Sequence, residues 1–122
     1  VSLLRGLSRT PGIVNFYGTC ARAALSPASH GGGTEIFVLL GLCGGGSLLH
    51  KLQRREDELT EAEIWKCMHD CSSALAAVHA SGVIHWDMKL ENVLLSEEGT
   101  GTACIADFGS ATRAQACILA VA

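Results

Sequence analysis

Side chains that could perform chemistry are concentrated in residues 85–92, which read His-Trp-Asp-Met-Lys-Leu-Glu-Asn. Asp87, Lys89 and Asn92 are followed by Asp107, which begins an Asp-Phe-Gly tripeptide. Phosphoryl transfer needs a carboxylate that orients the attacking hydroxyl or accepts its proton, a cation over the developing phosphate charge, and oxygen ligands for magnesium. Asp87 is the candidate base and Lys89 the candidate cation. Asn92 and Asp107 are the candidate ligands of Mg²⁺.

Neither motif supports this interpretation alone. Asp-Phe-Gly is a common turn-like tripeptide, and an isolated His-x-Asp is more often part of a solvated loop than of a site. Here Lys89 and Asn92 follow Asp87 at fixed positions, two and five residues later, and a predicted capped helix precedes all three. The order and spacing of the motifs therefore predict a phosphoryl-transfer site, with His85 as a structural support.

The helix in front of these residues is the strongest secondary-structure prediction. Thr60 and Glu63 have the spacing of a capping box, and Gly82 is a stop signal. The apolar stripe between them is expected to form the core beneath the loop, through Ile64, Met68, Leu75 and Val78. The sequence thus predicts a helix over residues 60–79.

Shorter elements are predicted on both sides of this helix. Leu3, Leu4 and Leu7 have helical spacing, so residues 1–7 are predicted to be the end of a helix. Residues 36–40 form a continuous apolar run that predicts a buried strand. Residues 44–46 are three glycines without the G-x-G-x-x-G spacing, which favours a flexible linker over a phosphate-binding loop. Further strands are expected at residues 13–20, 83–84, 93–95 and 103–105.

Composition limits the classes of partner. The 122 residues are 48% hydrophobic and 17% charged, which is typical of a globular chain. A net charge of -3 provides no basic surface, so nucleic acid and anionic membranes are not expected as partners. No apolar run reaches the roughly 18 residues of a membrane span.

Six cysteines are present without a CxxC pair, so we interpret them as reduced and the protein as intracellular. Cys67 and Cys71 share a helical face and have His69 nearby, which raises the alternative of a metal site. His69 is two residues off that face, so packing cysteines are the favoured interpretation.

Residues 85–92 and 107–109 resemble the eukaryotic protein kinase family, in which the motif reads His-Arg-Asp, then Lys and Asn, then Asp-Phe-Gly. Lys89 stands two residues after Asp87, as in the serine/threonine branch. The resemblance implies ATP and Mg²⁺ as cofactors and a protein substrate with Ser or Thr.

The resemblance covers residues 1–112 and implies an α+β fold. The expected parts of this partial protein kinase-like fold are the end of helix C, the hinge strands of the N-lobe, helices D and E, the catalytic loop and small strands of the C-lobe. Residues 10–14 are similar to the family's turn after helix C. Residues 113–122 are predicted to be a truncated or divergent tail, and the chain a fragment, because it contains no glycine-rich loop and no Val-Ala-Ile-Lys strand.

The same resemblance assigns an adenine pocket. Leu40 would be the gatekeeper, and the Gly41 carbonyl and Cys43 amide of the hinge would bond adenine. Leu94 would form the floor of the pocket. In the family, the residues corresponding to Lys89, Asn92 and Asp107 complete the binding of ATP and its metal.

Trp86 departs from the family, in which an arginine that can pair with an activation-loop phosphate stands at this position. We expect Trp86 to be a packing residue and the enzyme not to need that phosphorylation. The alternative is a pseudokinase or interaction module that keeps the fold without catalysis. Residues 107–112, together with residues 89–92 and 42–43, resemble the Numb-associated kinases most. This resemblance implies a cytoplasmic kinase and, by analogy alone, adaptor or endocytic partners.

Overall fold

The computed structural model describes residues 2–23, 34–54, 59–97 and 101–114. The helices in these ranges are α1 (Ser2–Leu7), α2 (Leu48–Gln53) and α3 (Glu61–Ala80). The strands are β1 (Phe16–Ala23), β2 (Thr34–Leu40), β3 (Val83–Ile84), β4 (Val93–Leu95), β5 (Ala103–Ile105) and β6 (Thr112–Arg113). A turn of 3₁₀ helix, Leu90–Asn92, precedes β4. Helices mixed with small strands confirm the predicted α+β class.

Helix α3 begins and ends where the sequence predicts. The Thr60 hydroxyl accepts a hydrogen bond from the Glu63 N–H, and the Glu63 carboxylate accepts one from the Thr60 N–H at 2.8 Å. The backbone and side-chain bonds from Thr60 lower the pKa of Glu63. Gly82, with a φ of 71°, follows the last turn. The capping box and the glycine stop are both confirmed.

The buried face of α3 differs from the predicted stripe. Ala74 and Val78 are fully buried, whereas Ile64 is 48% and Met68 58% exposed, so the expectation that these two residues form the core is wrong. The face that packs is instead lined by Cys67, Cys71, Ala74 and Val78. The small side chain of Ala74 allows Gly12 to approach so closely that a Cβ atom there would lie 2.8 Å from the Ala74 Cβ.

Two clusters of buried side chains form the core. The first contains Leu7, Ile13, Ala74, Val78, Val83, Ile105 and Phe108. The second contains Leu48, Val93, Leu95 and Ala103. Cys67 and Cys71 pack against the second cluster, as expected of packing cysteines, and burial raises the pKa of both thiols. No group of three possible metal ligands occurs among the described residues.

Three antiparallel strand pairs are present in the described ranges: β1 with β2, β3 with β6, and β4 with β5. The predicted strand over residues 36–40 exists, but it is exposed, with its side chains between 44% and 68% accessible. A continuous apolar run indicates burial only where other layers cover both faces of the sheet. Here β2 lies in a two-stranded ribbon, which cannot cover its own faces.

The three glycines after β2 form a fixed turn, so the predicted flexible linker is wrong. The Gly44 N–H donates to the Ser96 carbonyl and the Gly45 N–H to the Leu95 carbonyl, each at 3.0 Å. The Leu95 N–H in turn donates to the Gly46 carbonyl at 2.8 Å. These bonds attach the segment after β2 to β4.

None of the helices in the described part of the chain combines the length and apolarity needed to cross a bilayer. The longest, α3, carries charged side chains at Glu61, Glu63, Lys66 and Asp70. Its exposed face also includes Trp65 and His69.

Candidate active site

The loop between β3 and β4 brings three of the predicted site residues into contact. The Asp87 carboxylate accepts hydrogen bonds from the Lys89 ammonium at 2.8 Å and from the Asn92 side-chain amide at 3.0 Å. The same amide donates to the Asp87 backbone carbonyl at 2.8 Å. Asn92 is 7% exposed, so its position is fixed by burial as well as by these bonds.

His85 connects this loop to the Asp-Phe-Gly segment. It is 1% exposed, and its Nε2 lies 2.9 Å from the Ala106 carbonyl, so this nitrogen is the donor. Nδ1 then accepts the N–H of Asp87 at 3.2 Å. The ring also packs edge-on against Phe108, with centroids 4.7 Å apart. His85 thus acts as the structural support that the sequence suggested.

The charges of Asp87 and Lys89 stabilise one another. The hydrogen bond from Lys89 lowers the pKa of Asp87, and the Asn92 amide and the positive charge of Lys89 act in the same direction. The bond to Asp87 likewise raises the pKa of Lys89, with smaller contributions from the negative charges of Asp87, Glu91 and Asp107. Asp87 is therefore a carboxylate, and Lys89 an ammonium, throughout the neutral pH range.

Asp107 lies at an unusual turn beside this loop. Its φ is 58°, and its Oδ1 accepts the Gly109 N–H at 3.1 Å. Trp86, with a φ of 66°, is the other non-glycine residue with positive φ in the described ranges. Left-handed backbone at such residues is unfavourable and is concentrated at functional sites. Both positions here adjoin the candidate catalytic residues.

The oxygen atoms of Asn92 and Asp107 suit a magnesium ion. Because the Asn92 Nδ2 bonds Asp87, its Oδ1 is directed to the other side of the amide. The Ala106 N–H donates to the Asn92 carbonyl at 2.8 Å, which places Asp107 one residue from this contact. The Asp107 side chain belongs to an exposed residue. Carboxylate and amide oxygens are the donors that Mg²⁺ prefers, so these residues fit the ion.

A cavity of about 340 Å³ extends from Asp107 to the predicted gatekeeper. It is lined by Leu4, Val14, Val38, Leu40, Ala106, Asp107, Phe108 and Gly109. Leu40 and Asp107, which are far apart in sequence, thus share one cavity. The sequence did not assign Leu4, Val14 or Val38 to the site. The i, i+2 spacing of Val38 and Leu40 within a strand is the signal that could have found Val38.

The predicted hinge residues lie beside β4. The Gly41 N–H donates to the Asn15 carbonyl at 2.7 Å, so its carbonyl, not its N–H, is the group suited to adenine. The thiols of Cys43 and Cys104 are close enough for each to affect the pKa of the other, although burial is the main cause of the raised pKa of both. Cys104 pairs with Leu94 across β4 and β5. The structure therefore brings Cys43 close to the strand that carries Leu94.

Trp86 does not pack as predicted. Its side chain is 58% exposed, and its indole N–H donates to the Thr112 hydroxyl at 2.7 Å. The packing prediction is wrong because more than half of the side chain is exposed to solvent, and the indole instead bonds a residue beyond Asp107.

Known proteins resemble this chain over most of its length. The protein kinase domain family matches residues 1–119. Serine/threonine-protein kinase AKL1 of Saccharomyces cerevisiae is 35% identical over 113 residues, which are 90% of this chain and 10% of that protein. Actin-regulating kinase 1 of the same yeast is 34% identical over 113 residues, 90% of this chain and 17% of that protein. Serine/threonine-protein kinase ppk30 of Schizosaccharomyces pombe is 41% identical over 80 residues, 63% of this chain and 8% of that protein.

The chain spans between 8% and 17% of the length of these relatives. The family match covers nearly all of the sequence, including the loop and the Asp-Phe-Gly segment described above. The chain therefore belongs to the protein kinase domain family.

Proposed function

We propose that the protein containing this chain is a serine/threonine protein kinase that uses ATP and Mg²⁺. One observation carries the proposal: the Asp87 carboxylate is held by Lys89 and Asn92 in a loop that His85 joins to the Asp107 segment. In this proposal Asp87 is the base, Lys89 the cation, and Asn92 and Asp107 the metal ligands, which are the groups that phosphoryl transfer requires.

Each residue has a distinct task in this proposal. Asp87 orients the substrate hydroxyl and accepts its proton, and its low pKa keeps it ionised for this purpose. Lys89, 2.8 Å from Asp87, stabilises negative charge on the phosphoryl group as it moves toward that hydroxyl. Asn92 and Asp107 would hold Mg²⁺, which neutralises the charge of the nucleotide phosphates when it is bound.

We propose the adenine pocket from the residues that line the cavity. Leu40 borders the cavity that also reaches Asp107, which suits a gatekeeper at the adenine end of the nucleotide site. The Gly41 carbonyl and Cys43 amide would bond adenine, and Leu94 would lie beneath it. The proximity of Cys43 to β4 supports this part of the proposal.

Substrate and location are proposed from the relatives and the sequence. Two of the three relatives named above are serine/threonine kinases by name, and Lys89 stands where that branch has its lysine. We therefore propose a protein substrate with Ser or Thr and a cytoplasmic location. Adaptor or endocytic partners are proposed only by analogy with the Numb-associated kinases.

A pseudokinase is the second candidate, because Trp86 replaces the family's arginine. Phosphoryl transfer should be measured in the longest natural protein that contains residues 1–122, with radiolabelled ATP and a Ser/Thr peptide library. Asp87→Asn should lower kcat by about 10²- to 10⁴-fold and leave nucleotide affinity unchanged. Asp107→Ala should weaken binding of magnesium-ATP as well.

The wild-type protein decides between the two candidates. Transfer that disappears in Asp87→Asn supports the kinase. Nucleotide binding without transfer in the wild type would favour the pseudokinase, and unchanged turnover in Asp87→Asn would refute the assigned base. Thr112→Ser is a suitable control, since Ser keeps the hydroxyl that bonds Trp86.

A further inference from the structure

The indole of Trp86 joins the catalytic loop to the segment that follows Asp107. Its Nε1 donates to the Thr112 hydroxyl at 2.7 Å, which is a short distance for a hydrogen bond between neutral groups. Thr112 lies in β6, where it pairs with Ile84 of β3. The Ala114 N–H also donates to the Gly82 carbonyl at 2.7 Å. The described part of this segment is thus held by backbone bonds and by one side-chain bond.

Trp86 directly precedes Asp87, so its side-chain bond can affect the position of the candidate base. Trp86 stands between buried His85, which bonds Ala106, and Asp87, the candidate base. Its φ of 66° is rarely adopted by a bulky residue and persists only where neighbouring contacts determine it. A shift of Trp86 would therefore be transmitted directly to the backbone of Asp87.

We propose that Trp86 is a positioning residue for phosphoryl transfer: through Thr112 it holds the segment after Asp107 against the catalytic loop. The inference rests on the proposed function, since it concerns the placement of Asp87. An indole carries no charge and a threonine hydroxyl none, so this connection forms without a phosphate group on the segment. The residue that replaces the family's arginine thereby replaces an ionic contact by a neutral one.

Two substitutions remove the bond from opposite ends. Trp86→Phe removes the donor but keeps an aromatic ring, and Thr112→Val removes the acceptor but keeps the branched shape of threonine. Each should lower kcat by about 3- to 10-fold, the size expected for one hydrogen bond, and leave the KM for ATP unchanged. Thr112→Ser keeps the hydroxyl and should restore kcat. The double variant should be no worse than either single one.

A spectroscopic measurement tests the bond without using activity. The chain has two tryptophans, Trp86 and Trp65, and Trp65 is 68% exposed and bonded to Glu61 on α3. In the longest natural protein that contains residues 1–122, the indole N–H signal of Trp86 can be assigned by its loss in Trp86→Phe and followed by ¹⁵N NMR. Thr112→Val should shift this signal and speed its exchange with solvent, and Thr112→Ser should return both to the starting values.

The outcomes separate this inference from the proposed function. An indole signal that does not respond to Thr112→Val overturns the positioning role, whatever the activity. Equal loss of kcat in Thr112→Val and Thr112→Ser also overturns it, because the hydroxyl would then be irrelevant. A responsive indole signal together with no transfer in the wild-type longer protein refutes the kinase assignment and, with it, a role in catalysis.

Discussion

The proposed catalytic loop, residues 85–92, and the adjoining strands β4 and β5 differ sharply from the ribbon of β1 and β2. In the first region Leu95, Ala103 and Ile105 are at most 2% exposed, and polar side chains such as His85 bond to the backbone. In the ribbon, Tyr17 is 71% and Ile36 68% exposed. The two regions are similarly apolar in sequence, so local apolarity alone does not determine burial. What distinguishes the first region is that α3 packs against it, with Ala74 and Val78 in the same buried cluster as Ile105. The side-chain bond between the ribbon strands, from Arg22 to Glu35, is exposed.

Removing the His85 side chain should have the largest effect on the stability of the proposed catalytic loop. Ala at this position would leave a cavity, an unpaired Ala106 carbonyl and an unpaired Asp87 N–H, so His85→Ala should reduce the free energy of unfolding by about 3–5 kcal/mol. Urea denaturation followed by circular dichroism would measure the loss. Exposed His79 is the control, and His79→Ala should change stability by less than about 0.5 kcal/mol. Equal effects of the two changes would show that His85 does not support the loop.

The close approach of Gly12 to α3 is the next largest contribution. Gly12 and Gly82 have similar φ values, 76° and 71°, but only Gly12 has a neighbour within contact distance, the Ala74 Cβ. Gly12→Ala should therefore cost about 2–4 kcal/mol and Gly82→Ala only about 1 kcal/mol. The difference between the two melting curves isolates the contact with Ala74. If both variants lose the same stability, backbone conformation alone matters at Gly12.

Asp70 ties α3 to β5 by accepting the Ala103 N–H at 3.1 Å and the Lys66 ammonium at 2.9 Å. Asp70→Ala should cost about 1–3 kcal/mol, because it leaves the buried Ala103 N–H without this acceptor. Asp70→Asn, which can still accept that bond, should cost less. Urea denaturation at neutral pH provides the comparison, and a larger loss in Asp70→Asn would contradict this order.

The same side chain predicts a pH dependence. Burial raises the pKa of Asp70, but the bonds from Lys66 and Ala103 outweigh it and lower the pKa below its usual value of 3.8. A lowered pKa in the folded state gives stability that is present above the unfolded pKa and lost as the pH falls through the folded pKa. Wild-type stability should thus fall below about pH 4 more steeply than that of Asp70→Asn. Parallel pH profiles of the two proteins would argue against this contribution.

The smallest effect is expected in the ribbon. Ile36→Thr keeps a β-branched side chain on an exposed strand and should change stability by less than about 0.5 kcal/mol. The matched change in β5, Ile105→Thr, buries a hydroxyl at a fully buried position and should cost about 2 kcal/mol or more. Thermal melts of the two variants measure the difference. A large loss in Ile36→Thr would mean that the ribbon is buried in solution.

The sequence predicted local contacts better than it predicted the core. The capping box at Thr60, the stop at Gly82 and the grouping of Asp87 with Asn92 follow from local spacing, because each rests on residues close together in the chain. The exposure of Ile64 could not be foreseen in this way. It depends on which face of α3 meets Gly12, and that contact joins residues far apart in sequence.

The contact of Trp86 within the candidate site could not be predicted from sequence either. Its departure from the family motif was visible in the sequence, but its partner was not, since Thr112 is 26 residues away. The cavity shared by Leu40 and Asp107 likewise depends on the fold, although the resemblance had named both residues. Spacing thus selected the candidate groups, and only the structure identified the contacts that hold them.

Hydrogen exchange measured by NMR on the 122-residue chain tests the central claim most directly, namely that the catalytic loop is assembled as one hydrogen-bonded unit. The amides of Ile105 and Ala106, which donate to the carbonyls of Gly12 and Asn92 at 2.8 Å, should exchange most slowly. Those of β1 and β2 should exchange at least about tenfold faster, because the side chains around them are exposed. Ribbon amides that exchange as slowly as Ile105 and Ala106 would contradict the account.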